Sequence, residues 1–318
     1  MRAGVARTSH VGTAEPPGEG RSALNVTRVA RDRAELAEFL RSRRDRLTPR
    51  QAGITPSPGE RRVPGLRRQE VAQLAGVSVD YYNRLEQGRQ ANVSREVLDA
   101  LARALRLDDV ERAHLDDLAA PAAPRARAAV ERPQRPDPGL LRVTSMLDHL
   151  PVVVMGRRGT VLARNALFSA VYGHPMTPGT SYTRYLLLDP DARDRILDWE
   201  DCARAAVAGL RREVARRPQD HRLRQQIDEL CRADADVARW WDDHRVSEYS
   251  SAPRRIRHPV AGDLRFDVEL LVAPQEPDQH LVLYTVEPHS RTARTLPLLA
   301  AWGAEPPAAA VVTDDTES

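Results

Sequence analysis

Residues 70–88 read EVAQLAGVSVDYYNRLEQG, and that spacing predicts a helix, a tight turn and a second helix. Ala72 is small where two helices must cross closely, and Gly76 stands where the turn needs a positive φ or a close backbone approach. Val77 is apolar inside the turn, and Ser78 is placed to cap the second helix by accepting a backbone N–H. Tyr82 and Leu85 lie three apart on one face, which leaves Val79, Asp80, Tyr81, Asn83 and Arg84 turned largely outward. Outward residues at the leading end of a second helix are what a helix-turn-helix presents to base edges in the major groove of DNA.

The charge pattern agrees with a DNA-facing module. All 48 basic residues are Arg, which follows partly from a GC-rich genome, and guanidinium suits bidentate contact with phosphate or guanine better than ammonium does. Residues 31–107 carry 16 Arg against 10 Asp plus Glu, so 16 − 10 gives +6. The whole chain carries +3, so the remainder carries +3 − 6, or −3. Positive charge therefore concentrates around the motif.

A chain of 318 residues predicts two domains. Its two cysteines, Cys202 and Cys231, fall on apolar helical faces and are expected as buried free thiols. No apolar run reaches the roughly 18 residues of a membrane span. The first 32 residues lack the apolar core of a secretory signal, so a cytoplasmic location is expected.

Residues 1–32, rich in Gly, Pro, Arg and small side chains without periodicity, are expected to be disordered. Helical periodicity begins at Arg33 and runs to Leu47 through Leu36, Phe39 and Leu40. A loop bearing Pro49, Pro56, Pro58 and Pro64 follows and carries Arg61, Arg62, Arg67 and Arg68. After the motif, Ser94 caps a helix with Val97, Leu98, Leu101, Ala102 and Leu105 inward, and Asp108 or Asp109 opens a last one. Residues 33–119 thus form an all-α, five-helix domain. Residues 120–138, rich in Ala, Pro and Arg, read as a linker.

In residues 139–292 a helix, Leu140 to Leu150, precedes PVVVMGRRGTVLARN, a hairpin turning at Gly156 to Gly159. One amphipathic helix follows with Trp199, Cys202, Ala206, Leu210 and Val214, then another with Leu223, Ile227, Leu230 and Cys231. A short helix, Asp236 to His244, holds Trp240 and Trp241. Three strands close the domain, and the alternation of Leu264, Phe266, Val268 and Leu270 predicts a sheet with one buried face. Strands, helices and strands again make an α+β domain. Residues 293–318 are expected to be a flexible tail.

The run VPGLRRQEVAQLAGVSVDYYNRLEQGR, followed by VLDALARALRLDDVERAHL, resembles the MmyB-like regulators of the phage-repressor (XRE) superfamily, over residues 33–292. The resemblance implies a phage-repressor-like DNA-binding domain followed by a PAS-like ligand-binding domain. By aligned position it makes Val79, Asp80, Asn83 and Arg84 the base readers, behind Ser78. Arg84 suits guanine, Asn83 adenine and Asp80 cytosine. Arg68 and Gln87 match phosphate anchors, and Arg61 and Arg62 are placed to reach flanking backbone or minor groove. Other readings stay open: Asp80 as a helix-dipole charge, Arg84 as its i+4 ion-pair partner, the 61–68 arginines as a solvated loop. Glu86 reads as a fold element paired with an Arg.

The resemblance also implies a pocket for a small, fatty-acid-like molecule. Its lining would come from Val154, Val161, Leu186, Val207, Leu210, Phe266, Val268, Leu270, Val282 and Tyr284, each of which also reads as ordinary core. Arg255, His258 or Tyr284 would orient the ligand. Where relatives often carry Trp before the Asn of the second strand, Arg164 precedes Asn165 here. The expected regulator binds a double-stranded operator as a homodimer, because such motifs commonly read two-fold sites. In the other reading the C-terminal domain docks a protein partner through exposed apolar surface at Trp240 and Trp241. No phosphate-cradling glycine loop, GxSxG turn or metal-spaced histidine pair is present, so neither catalysis, a cofactor nor a metal is expected. Cys202, Cys231, His221 and His244 lack the tight pairs of a zinc site.

Overall fold

A computed structural model describes residues 19–54, 63–90, 92–120, 133–246 and 253–303. The chain divides into two compact units, residues 1–105 with 118–122 and residues 106–117 with 123–318.

The first unit opens on α1, Glu19–Arg46. This helix begins within the segment expected to be disordered, and residues 1–18 lie outside the described residues. From Arg33 onward it behaves as its periodicity predicts, with Leu36, Ala37, Phe39 and Leu40 buried. Arg43, Arg44 and Arg46 close its last turn, where the helix dipole favours cations. Then come α2 (Arg68–Ala75), α3 (Val79–Glu86) and α4 (Arg95–Ala104). The Ser94 hydroxyl accepts from Val97 N at 3.4 Å, and Leu98, Leu101 and Ala102 are buried.

The fifth expected helix is α5, Asp109–Ala119. Asp108 caps it: its Oδ1 accepts from Glu111 N at 2.8 Å while Glu111 Oε2 accepts from Asp108 N. Most of α5 groups with the second unit, where Arg216 Nε lies 3.5 Å from Asp117 Oδ2.

The second unit is a five-stranded antiparallel sheet with helices. α6 (Pro138–Met146) precedes the hairpin of β1 (Val152–Met155) and β2 (Val161–Arg164). Arg158 (φ 59°) and Gly159 (φ 69°) give the hairpin two successive positive-φ residues. Helices α7 (Ala166–Tyr172), α8 (Tyr182–Leu188), α9 (Pro190–Arg195), α10 (Trp199–Arg216), α11 (His221–Ala233) and α12 (Ala235–Asp242) follow. The last strands are β3 (Pro253–His258), β4 (Gly262–Ala273) and β5 (Glu276–Thr285), then α13 (Arg291–Gly303). Strand order is β2-β1-β5-β4-β3, the one-sheet α+β arrangement expected of a PAS-like domain.

Four details depart from the sequence reading. First, the sheet is covered on both faces where β1 pairs with β5. One face carries the main core, and on the other Val152, Val154, Leu162, Leu281 and Leu283 pack with Leu140 of α6. The unbroken run VVV is what a strand buried on both sides requires. Second, α7 to α9 are too short for helical periodicity to register, and caps define them instead. Asn165 Oδ1 accepts from Phe168 N at 2.9 Å, and the Ser181 and Asp189 side chains accept from Arg184 N and Asp191 N.

Third, the expected tail contains α13, whose Leu296 and Leu299 are buried in the main core. Pro297 masked that helix; Thr292, Leu296 and Leu299 already had its spacing. Fourth, the linker's end belongs to the second unit: Gln279 Oε1 accepts from Asp137 N, Gln279 Nε2 donates to Arg135 O, and Gln134 Oε1 accepts from Arg157 N.

Candidate nucleic-acid interface and apolar core

The turn between α2 and α3 is built as its residues dictate. Gly76 closes α2 at φ 66° in the left-handed region, and Val77 N donates to Ala72 O at 3.0 Å. Ser78 Oγ accepts from Tyr81 N at 3.1 Å and starts α3. Glu70 Oε2 accepts from Arg67 N at 2.7 Å, fixing the start of α2.

Tyr82, Leu85 and Glu86 are the buried face of α3. Val79, Asp80 and Arg84 are exposed, Asn83 half-buried, and Gln87 exposed past the helix end. The predicted base readers therefore share the outer side of one rigid helix. Arg84 Nη1 sits 3.0 Å from Asp80 Oδ2, so the ion pair considered as a rival reading is formed. An exposed i, i+4 pair contributes only about 0.2–0.5 kcal/mol. That is too little to hold Arg84 away from a groove.

Arg68 is placed differently from a free phosphate anchor. Its Nε donates to Glu86 Oε2 at 2.6 Å, and about half of the side chain stays exposed. Glu86 is fully buried and also accepts from Arg44 Nε at 2.5 Å. Arg44 Nη1 donates to Leu66 O, and Arg41 Nη2 to Glu86 O. One carboxylate thus ties α1, the start of α2 and the end of α3 together. Burial alone would raise its pKa; the hydrogen bonds from Arg44 and Arg68 outweigh that and hold it below the usual carboxylate value. Arg61 and Arg62 lie outside the described residues.

In the second unit, nine of the ten candidate lining residues converge. Val161, Leu186, Val207, Leu210, Phe266, Val282 and Tyr284 are buried in one core between sheet and helices, with Val268 and Leu270 packed against it. Val154 does not join them: it faces α6 across the sheet, because β1 alternates and Val153 takes the core side.

The polar candidates separate cleanly. Arg255 is exposed on β3. His258 is a structural residue: its Nδ1 accepts from Ala261 N at 3.0 Å and its Nε2 faces Ala170 O at 3.1 Å. Burial lowers its pKa, which keeps the ring neutral with the proton on Nε2. Tyr284 lies in a buried ladder, with Tyr172 Oη 2.7 Å from Tyr284 Oη and 2.9 Å from Tyr182 Oη.

Sequence reasoning missed two residues. Arg254, one position from Arg255, pairs with Phe266 across β3 and β4 and so shares its inward face. The alternation set by Ile256 and His258 already pointed to it. Asn165 caps α7 and donates from Nδ2 to Leu147 O and Leu150 O. Arg164 turns aside, its Nε donating to Pro175 O at 2.8 Å.

Trp240 is buried and Trp241 packs against the main core, so these rings do not form an exposed docking patch. Cys202 and Cys231 are free and partly buried, and burial pushes the Cys202 thiol up to about 12. Among the described residues no group of His, Cys, Asp and Glu is arranged to hold a metal, and no helix is long and apolar enough to cross a membrane.

Two protein families match the chain. A helix-turn-helix domain covers residues 35–115, and an MmyB-like transcription regulator ligand binding domain covers residues 136–299. No curated protein matches the whole chain or a part of it. The first match places α2 and α3 in a DNA-binding domain, and the second spans the sheet and the helices that close its core. The chain belongs to the MmyB-like transcription regulators, DNA-binding proteins with a ligand-binding domain behind a helix-turn-helix.

Proposed function

We propose that the protein is a one-component, cytoplasmic regulator of the XRE type that reads a two-fold operator as a homodimer. Its operator affinity changes when a small, acyl-like molecule enters the second domain. Val79, Asp80, Asn83 and Arg84 read bases from the leading part of α3, with Ser78 fixing that helix end. Gln87 and the exposed part of Arg68 meet phosphate, and Arg61 and Arg62 reach flanking backbone.

The observation that carries the DNA half is the division of α3: Tyr82, Leu85 and Glu86 anchor it while Val79, Asp80 and Arg84 stand clear. The ligand half is supported by nine apolar candidates gathered between sheet and helices within the matched ligand-binding family. The ligand acts by binding one spacing of the two DNA-binding domains better than another, which is the only way it can move the equilibrium. The burial of Trp240 favours this reading over a protein-docking one.

The test is selection of duplexes from a random pool by the full-length protein, then titration of the winning site with and without saturated acyl probes. The expected result is a two-fold symmetric site bound by a dimer, with affinity shifted by a probe that also raises the melting temperature. An asymmetric site bound by a monomer overturns the dimer. A melting temperature and site affinity indifferent to octanoyl, tetradecanoyl and octadecanoyl probes overturn the ligand half.

A further inference from the structure

The end of the expected linker, residues 133–137, is fastened to the second unit by side chains from two directions. Gln279 is a buried polar residue on β5. Both ends of its amide engage backbone: Oε1 accepts from Asp137 N at 2.9 Å and Nε2 donates to Arg135 O at 2.9 Å. Asp137 in turn caps α6, its Oδ1 accepting from Gly139 N and Leu140 N.

The second fastening is built around a glycine. Gly156 has a φ of −100°, which any residue adopts, so its backbone does not ask for glycine. Space does. A Cβ at Gly156 would stand 2.5 Å from Gln134 Oε1 and 2.9 Å from Leu162 Cδ1. That same Gln134 oxygen accepts from Arg157 N at 2.6 Å. The bare glycine is the seat in which the Gln134 side chain rests.

From this hairpin the connection continues into the helices. The Arg157 guanidinium meets Asp278 through Nε at 2.7 Å and Nη2 at 2.6 Å. Asp278 also accepts from Arg217 Nη2, while Arg217 Nη1 donates to Glu213 in the last turns of α10. Arg158 Nη1 donates to Asp220, the cap of α11, at 3.1 Å. Asp278 and Gln279 are neighbours on one strand and so face opposite sides of the sheet. Gln279 shares the α6 side with Leu281 and holds the linker's end there, whereas Asp278 holds the end of α10 on the core side. Val207, Leu210 and Val214 of that helix are part of the main core.

We infer that residues 133–137 are a coupling strap, through which a change in how α10 packs on the core reaches the chain leading to the helix-turn-helix, by the relay Arg217–Asp278–Arg157–Gln134. This rests on the ligand half of the proposed function and gives the route by which that half acts. A shift of the last turn of α10 moves Arg217, which shares Asp278 with Arg157, whose own N–H holds Gln134. Asp278 and both arginines are partly exposed, so the relay is cheap to open. Docked and released straps differ by a few hydrogen bonds, and a guest that favours one arrangement of α10 shifts the balance between them.

The experiment uses full-length protein and three variants. Gln279→Met keeps the volume and removes both amide bonds, Gly156→Ala fills the seat of Gln134, and Arg217→Gln cuts the relay on the core side. Hydrogen exchange is followed by mass spectrometry on a peptide spanning 134–142. Affinity for the selected operator is measured with and without tetradecanoate, whose binding is followed separately by melting temperature. Exchange at the Asp137 amide is expected to be roughly tenfold faster in Q279M than in wild type. Operator affinity without probe, and the melting shift that the probe causes, should stay within about twofold of wild type, while the probe's effect on operator affinity falls about fivefold or more. G156A should behave alike, and carries the same readings if Q279M does not fold. R217Q should mute the probe's effect with the Asp137 amide still protected. A probe effect that survives in full in Q279M or in R217Q overturns the strap and leaves ligand-controlled operator binding standing. Unchanged exchange in Q279M also overturns it, because the amide bonds would then hold nothing. Loss of the melting shift along with the operator response overturns it too, since Gln279 would then serve the shape of the core. Tetradecanoate that leaves the operator affinity of wild type unmoved withdraws the strap and the ligand half together.

Discussion

Arg44 Nε and Glu86 Oε1 lie 2.5 Å apart although 42 residues separate them in sequence, and the carboxylate between α1 and α3 is fully buried. Arg68 closes the other oxygen at 2.6 Å. The orientation of α3 in the helix-turn-helix is therefore fixed from behind by a charged cluster as well as by Tyr82 and Leu85. Such a cluster is worth little against an apolar replacement, but losing one member strands the others.

Glu86→Gln should destabilise the DNA-binding domain by about 3–5 kcal/mol, since Arg44 would stay buried without its counter-charge. Thermal unfolding followed by circular dichroism measures this, and operator binding should fall in parallel. A melting curve unchanged from wild type would refute the structural role of the cluster.

The same carboxylate sets a pH dependence. Its folded-state pKa is depressed, with the hydrogen bonds from Arg44 and Arg68 outweighing burial. Its contribution is thus complete above the unfolded value, about 4.3, and disappears as pH falls through the lower folded value. Melting temperatures of wild type and Glu86→Gln, compared at successive pH values, should converge in acid and diverge toward neutrality. A constant gap would contradict this.

Arg84→Ala should weaken binding to the selected operator by about 1–3 kcal/mol and relax its sequence preference. Stability should change by less than about 0.5 kcal/mol, because the pair with Asp80 is exposed. Arg68→Ala is the contrast: it removes a Glu86 partner, so it should lower stability as well as affinity for every duplex, with a shallower salt dependence. Fluorescence anisotropy at several salt concentrations, paired with melts, separates the two patterns.

Gly65→Ala should disrupt the junction of α1 and α2. A Cβ there would stand 2.6 Å from the Arg44 carbonyl oxygen, backbone that has no room to move. The neighbouring bond from Leu66 N to Arg44 O would be lost with it. Proteolytic sensitivity of this junction, compared with wild type, reports the effect; equal resistance would count against so close an approach.

Much of the fold was legible because the signals are local. Gly76 and Ser78 specify a turn and a cap within a few residues, and the Tyr82–Leu85 spacing names the buried side of α3. The alternation through Leu264 and Phe266 likewise marks one face of β4. The excess of positive charge over residues 31–107 falls on the segment that the helix-turn-helix family match covers.

What a linear reading cannot supply is which partners distant residues find. Nothing near Arg68 in sequence says that Glu86 will claim its Nε, nor that Val154 will face α6 while Val153 faces the core. The helices α7 to α9 and α13 escaped because they are short or contain Pro297, so packing and caps define them more than periodicity does. Arg254 lies between the two conditions. Strand alternation turns it inward, but only the assembled sheet sets Phe266 beside it. Local chemistry thus determined the longer helices, the turn of the helix-turn-helix and the apolar side of elements such as α3 and β4. Tertiary structure decided where the buried charges meet, because the energy of a charge out of water depends on neighbours that the chain brings from afar.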